Sequence, residues 1–266
     1  MSKNYRNERT INSYLAARKG DIRNKQIAEL EKYVLYRKEK NRKVLQFIKY
    51  WGASNKESLD KQDYEALFNL FGFLKIIEKH YKLEVHLTII FTDTHVILNG
   101  YNSEKFKKYF KEVREILNEF NYSHVLMSEV LMPFIKQHKL KDANDLINSI
   151  IVDSISEIPQ DIICTESFEL LKKSASKHSF RFTNNQIFGD LKFNSIDHSA
   201  YAYIKLNRIE KLYVEKNFFQ SVFLTYTSHE EQKLIAPSLP ILQIFSSHKG
   251  RSVRPWFSNN IKKDIE

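Results

Sequence analysis

The sequence predicts an α/β protein built on a doubly wound, mostly parallel sheet. Three observations predict it. Short β-branched and aromatic runs recur along the chain, amphipathic segments of helical period separate them, and polar clusters follow the runs. Strand, helix, strand, helix, strand is the order of parallel crossovers, which are right-handed. A length of 266 residues with 42% hydrophobic side chains is enough for one large core.

The elements follow in order. Residues 1–20 are polar and weakly patterned, an arm ending at Gly20. From Asp21, a good N-cap, Ile22, Ile27, Leu30 and Val34 recur at roughly helical spacing on a very basic helix. Residues 44–51 form a β-type run that stops at Gly52-Ala53-Ser54-Asn55-Lys56. Over residues 60–81, Tyr64, Leu67, Phe68, Phe71, Leu74, Ile77 and Tyr81 make one helical face. A second β run, residues 85–91, breaks at Thr92-Asp93-Thr94-His95. Ser103 is placed to cap a helix with Phe106, Phe110, Val113, Ile116, Leu117 and Phe120 on one face, and a short third strand covers residues 124–127. Residues 129–176 read as helical with an interruption at Pro159, and polar residues 177–195 as a connection. A helix near 196–216 then leads to strands at 221–226 and 239–245, and the chain closes on Arg254-Pro255-Trp256-Phe257. The economical division is a basic arm and helix over 1–43, one α/β domain over 44–257 with an additional helical layer, and a polar tail over 258–266.

Composition narrows the function classes. The net charge is +10, yet residues 1–50 hold 14 basic and 5 acidic side chains, so the other 216 residues are nearly neutral. The excess is a local handle for an anionic partner, or a solvated surface helix. Low Gly and Pro, 6 and 5, exclude collagen-like and low-complexity chains. The single Cys164 excludes an internal disulfide framework and any cysteine-based zinc cluster. No apolar run approaches 18 residues and the N-terminus lacks a signal peptide's apolar stretch, so a cytoplasmic protein is expected, with no membrane, metal or cofactor.

In open α/β sheets ligands bind beyond the carboxyl ends of the strands. Gly52–Lys56, Asp93–Asn99 and Thr225–His229 fall at such ends. Gly52 allows close backbone approach to a ligand. Ser54 serves as either a cap or a nucleophile. Asn55, Lys56 and Asn99 are candidate substrate contacts, Lys56 for phosphate or carboxylate. Asp93 and His95, two residues apart, either orient an amine and move a proton or cap and pack locally. Tyr203 and Glu210 lie seven residues apart and share a helix face, suited to an ammonium group and equally to plain amphipathic packing. His86 and His124 are structural. The candidate RNA-binding cations are Arg18, Lys19, Arg23, Lys25, Arg37, Lys38, Lys40, Arg42 and Lys43, together with Lys107, Lys108 and Lys111 on the third helix.

The element order of residues 44–120, with Asp93-Thr94-His95 after an apolar strand, resembles the tRNA-dependent cyclodipeptide synthases. Their Rossmann-like domain is related to the class I tyrosyl-tRNA synthetase catalytic domain. The resemblance implies transfer of an aminoacyl group from tRNA to a serine, reaction with a second aminoacyl-tRNA, and release of a diketopiperazine. It makes Ser54 the acyl acceptor, and Tyr203 and Glu210 the pair that holds and deprotonates the amine. The family serine sits nearer the strand end, about where Trp51 falls, and the family's Tyr and Glu are closer together. A second resemblance is to the isocyanide synthases of the pyoverdine/dityrosine type, which convert an amino acid's amine to an isonitrile using a sugar phosphate. It is carried by Asp63-Tyr64-Glu65-Ala66-Leu67, Tyr81 and Pro255-Trp256-Phe257. That family's Lys-Ser signature after the first strand and its late His-Pro pair are unmatched.

The basic N-terminus favours aminoacyl-tRNA as partner, because a polyanion needs many cations and a free amino acid with one sugar phosphate needs few. The expected function is therefore aminoacyl-tRNA-dependent cyclodipeptide synthesis by a monomer or weak homodimer. Isocyanide synthesis and non-catalytic RNA binding are the alternatives, although no RRM, KH or Gly-rich RNA motif is present.

Overall fold

The computed structural model describes residues 11–15, 20–52, 56–178, 193, 195–226 and 238–244. Arg18, Lys19, Ser54, Asn55, the segment 254–257 and the tail 258–266 lie outside the described residues.

Five strands, β1 (Val44–Trp51), β2 (Glu84–Phe91), β3 (Ser123–Leu126), β4 (Val222–Thr225) and β5 (Ile241–Gln243), form one sheet in the order β3-β2-β1-β4-β5. Every pairing is parallel. The chain winds outward from β1 through β2 to β3, then crosses back to add β4 and β5 on the other side. The order therefore reverses at β1, and a doubly wound Rossmann-like α/β fold opens its crevice there.

Alternation along the strands divides the core. Leu45, Phe47 and Trp51 of β1, Leu87, Ile89 and Phe91 of β2, and Val222 and Leu224 of β4 point to one face. There they meet α1 (Gly20–Glu39), α2 (Lys61–Tyr81) and α4 (Ser103–Glu119) through Leu30, Leu70, Phe73 and Phe110. Ile48, Ile90 and Phe223 point to the other face. That face is covered by α3 (Asp93–Asn99), α5 (Met127–Val130), α6 (Met132–Gln137), α7 (Ala143–Ser156), α8 (Gln160–Ile163), α9 (Glu166–His178) and α10 (Ile196–Phe218). Covering both faces explains why the strands read as continuous apolar runs.

Local chemistry sets the helix ends. Asp60 caps α2 by accepting from Gln62 N and Asp63 N, and Asp63 returns the bond to Asp60 N. The cap of α4 is Asn102, whose side chain accepts from Glu104 N and Lys105 N; Ser103 is the first helical residue. Residues 92–95, read from sequence as a break, lead into a helix over Asp93–Asn99, about two turns long, ended by Gly100 at φ 70°. Glycine is suited to that left-handed C-cap because it has no Cβ to clash. Residues 129–176 form several short helices separated by turns.

The basic helix α1 is packed on the body. Leu30, Tyr33 and Val34 are buried. Tyr33 Oη donates to Gln220 O (2.7 Å) and accepts from Gln46 N (3.0 Å). The buried Arg37 donates to Val44 O through Nε (2.9 Å) and Nη2 (2.6 Å), and to Gln220 Oε1 (3.0 Å), which Arg42 also reaches. Val44 opens β1 and Gln220 precedes β4, so these cations sit at the amino ends of the central strands. Among the described residues, no helix is long and apolar enough to cross a membrane.

One buried charge stands out on the α1/α2 face. Lys49 of β1 is 3% exposed, and its Nζ lies 3.4 Å from the ring centroid of Tyr226, whose hydroxyl donates to Ala66 O. Burial pulls its pKa from 10.5 down to about 7. The ring face offsets part of the cost of the charged form. Because the folded value lies below the unfolded one, stability should rise with pH between about 7 and 10.5, with a slope approaching about 1.4 kcal/mol per pH unit. Chemical denaturation of Lys49→Met across this range should lack that slope. An equal slope in wild type and variant would show that Lys49 is not desolvated.

Candidate active site

Just beyond the carboxyl end of β2, α3 meets the long helix α10. On this helix Ser199, Tyr203, Asn207 and Glu210 recur at spacings of four, four and three, and all four are buried. Such spacing puts them on one face. A buried polar stripe needs partners: α3 supplies them to Tyr203 and Glu210, while Ser199 Oγ and Asn207 Nδ2 have none among the described residues.

Glu210 is 1% exposed. Thr94 Oγ1 donates to its Oε1 at 2.6 Å, and His95 Nε2 lies 2.9 Å from its Oε2. Burial alone disfavours the His95 imidazolium, but the Glu210 carboxylate, supported by Asp93, outweighs burial and raises the His95 pKa above 6.5. Tyr203 Oη donates to Asn99 Oδ1, and its ring stands edge-on to His95 with centroids 5.5 Å apart. Burial holds the Tyr203 phenol protonated, with Tyr101 beside it lifted by burial to about 12. Tyr50, reaching over from β1, is buried at its hydroxyl and held well above its ordinary pKa by burial and then by Glu210 and Glu215.

This geometry can bind a small cation. A carboxylate with one free lone pair on each oxygen, a histidine able to take or return a proton, and neutral phenols around them suit a primary amine. Among the described residues, no group of three or more His, Cys, Asp or Glu side chains is arranged to hold a metal ion.

A solved structure shares this fold. The PvcA protein from Pseudomonas aeruginosa is similar with a TM-score of 0.58 at 12% identity, over 93% of this chain and 87% of that one. A tyrosyl-tRNA synthetase from Archaeoglobus fulgidus, solved with L-tyrosine, matches with a TM-score of 0.36 at 11% identity, over 79% of this chain and 57% of that one. No protein-family model matches the sequence, and no curated protein matches it at the sequence level.

Within the architecture shared with PvcA, the candidate residues separate into two groups. His95, Asn99, Tyr203 and Glu210 converge. Asp93 lies near them but is hydrogen-bonded elsewhere: its Oδ1 accepts from Ser128 N (2.9 Å) at the start of α5, and burial raises its pKa. Gly52 follows β1, exposed, and a Cβ there would meet Thr92 Oγ1 at an ordinary 3.7 Å. Lys56 is engaged by Asp60 (2.6 Å) and Asp63 (3.0 Å). Lys107, Lys108 and Lys111 pair with Glu104, Glu57 and Glu115, and all three remain exposed. Lys25, Lys38, Lys40 and Lys43 are exposed, and Arg23 lies in the first turns of α1. His86 bonds Ser123 at 3.0 Å, a strand-to-strand tie. Thr94 and Tyr50 are functional candidates that sequence reasoning missed. Thr94 lies inside the motif already singled out, and Tyr50 is a tyrosine on a buried face of a central strand.

His95 and Glu210 make a testable couple. Glu210→Gln should lower the His95 pKa, because burial then dominates. NMR titration of the imidazole checks it, and an unchanged value would mean that the pair does not form. The raised His95 pKa implies a stabilisation complete below pH 6.5 and lost as pH climbs through the folded value. The stability gap between wild type and Glu210→Gln, about 1–3 kcal/mol at pH 6, should therefore narrow at alkaline pH.

Proposed function

We propose that this chain is an enzyme that acts on the amino group of a free amino acid, in the manner of the isocyanide synthases that its sequence resembles. The observation that carries the reading is the buried Glu210 carboxylate, gripped by Thr94 and His95 and walled by Tyr203. In such a place a carboxylate binds an ammonium group strongly, because little water competes. It also takes the ammonium proton when the amine must become a nucleophile, and His95 stabilises the charge that is left. A fold shared with PvcA over most of both chains supports the reading.

The aminoacyl-tRNA reading has a specific observation in its favour, the exposed cations Lys38, Lys40 and Lys43 at the end of α1. Their position counts against it as a route to the site. Arg37 and Arg42 are drawn onto Val44 and Gln220 at the amino ends of β1 and β4. Glu210 lies past the carboxyl ends, a strand length of roughly 25 Å away. A polyanion held at α1 would have to curl around the sheet to deliver its acyl end. A buried carboxylate far from those cations suits a free amino acid better.

Metabolite profiling of cells that express the protein separates these readings. Isonitriles, captured with a tetrazine probe, are expected, and Glu210→Gln should reduce them at least 100-fold. Diketopiperazines that vanish in Ser54→Ala would instead establish the aminoacyl-tRNA route. No new product from the wild type would remove both.

A further inference from the structure

Tyr50 lies on β1, the strand at which the sheet order reverses. Its ring packs edge-on against Phe223 of β4, with centroids 4.8 Å apart, beside the cluster that includes Tyr203, Leu206 and Val214. The ring is thus held by apolar neighbours, as a phenylalanine would be. The hydroxyl is different. Thr94, His95, Asn99, Tyr203 and Glu210 are all paired, whereas Tyr50 Oη is buried with no hydrogen-bond partner among the described residues. An unpaired buried hydroxyl costs stability, so its presence where a ligand would bind needs a reason.

Electrostatics indicates which kind of ligand group would pair with it. Burial first, and then Glu210 and Glu215, disfavour an anion at the Tyr50 oxygen, and the two carboxylates favour a cation there. A phenol oxygen in that field is an acceptor for N–H. An ammonium group carries three such donors, and one carboxylate does not satisfy them all.

We propose that the Tyr50 hydroxyl is a second attachment point for the substrate's ammonium group, accepting one of its N–H bonds while Glu210 accepts another. This rests on reading Glu210 as the amine-handling carboxylate. Tyr50 is a binding residue that fixes the orientation of the amine, and no covalent step passes through it.

Tyr50→Phe keeps the ring against Phe223 and removes only the oxygen. The probes are the twenty proteinogenic L-amino acids, screened by thermal shift, and the 2-hydroxy acid with the side chain of the tightest binder. By calorimetry, Tyr50→Phe should weaken binding of that amino acid about tenfold. Binding of the hydroxy acid should change little. The melting temperature of the unliganded variant should equal or exceed that of wild type, because a residue whose role was structural would lower it. Wild-type affinity in Tyr50→Phe, or an equal loss for amino acid and hydroxy acid, would overturn the proposal. Glu210→Gln, measured in parallel, separates the two failures. Weaker binding in Glu210→Gln with unchanged binding in Tyr50→Phe overturns only the role of Tyr50. Unchanged binding in Glu210→Gln, or no amino acid bound by wild type, overturns the Glu210 reading and this proposal with it.

Discussion

A single buried carboxylate organises this molecule's site. Glu210 is nearly solvent-free, and a charge in that position needs compensation. Thr94 and His95 provide it from a short helix that starts immediately after β2. The late helix α10 is thereby tied to the carboxyl edge of a sheet from which it is far removed in sequence. Tyr203 and Asn99 make a second tie one end further along. The groups that make these ties are the ones available for chemistry.

Two kinds of buried charge coexist here. Glu210 has polar partners and faces the crevice. Lys49 sits on the opposite face of the same sheet, against an aromatic ring. The first is compensated by a hydrogen bond from Thr94 and by the His95 ring beside it. The second is eased by a change of protonation, since burial draws it toward neutrality near pH 7. Adjacent residues of one strand, Lys49 and Tyr50, point to these two environments, which is the period-two alternation of a β-strand expressed in electrostatics.

Much of the fold is legible in the sequence because its periods are strong. The runs at 44–51 and 85–91 and the amphipathic segment at 60–81 correspond to β1, β2 and α2 within a few residues. Asp93–Asn99 was harder to read, since a helix of seven residues has too few turns to show a period. For the site, spacing along α10 shows that Tyr203 and Glu210 share a face, but what that face meets depends on crossovers of more than a hundred residues. His95 and Asn99 were visible as polar groups at a strand end. Their pairing with Glu210 and Tyr203 was not. Tyr50 was hidden for a different reason: a tyrosine among Phe, Ile and Trp in a strand looks like core until its hydroxyl is found unpaired. The basic excess was legible as a number but not as a place, because only the packing of Tyr33 and Arg37 reveals which end of the sheet holds α1.

The two ties between α3 and α10 run in opposite order along their helices: residues 94 and 95 meet 210, and residue 99 meets 203. Two rungs on antiparallel helices define a register. Sliding α10 by one turn, about 5.4 Å, would break both at once and leave a charged group stranded in a dry interior. Partial slippage has no favourable resting point, and the buried Ala200, Ala202, Leu206 and Val214 hold α10 seated. The two rungs thus hold Thr94, His95 and Asn99 against Glu210 and Tyr203 in one mutual arrangement, set by the fold before any substrate arrives.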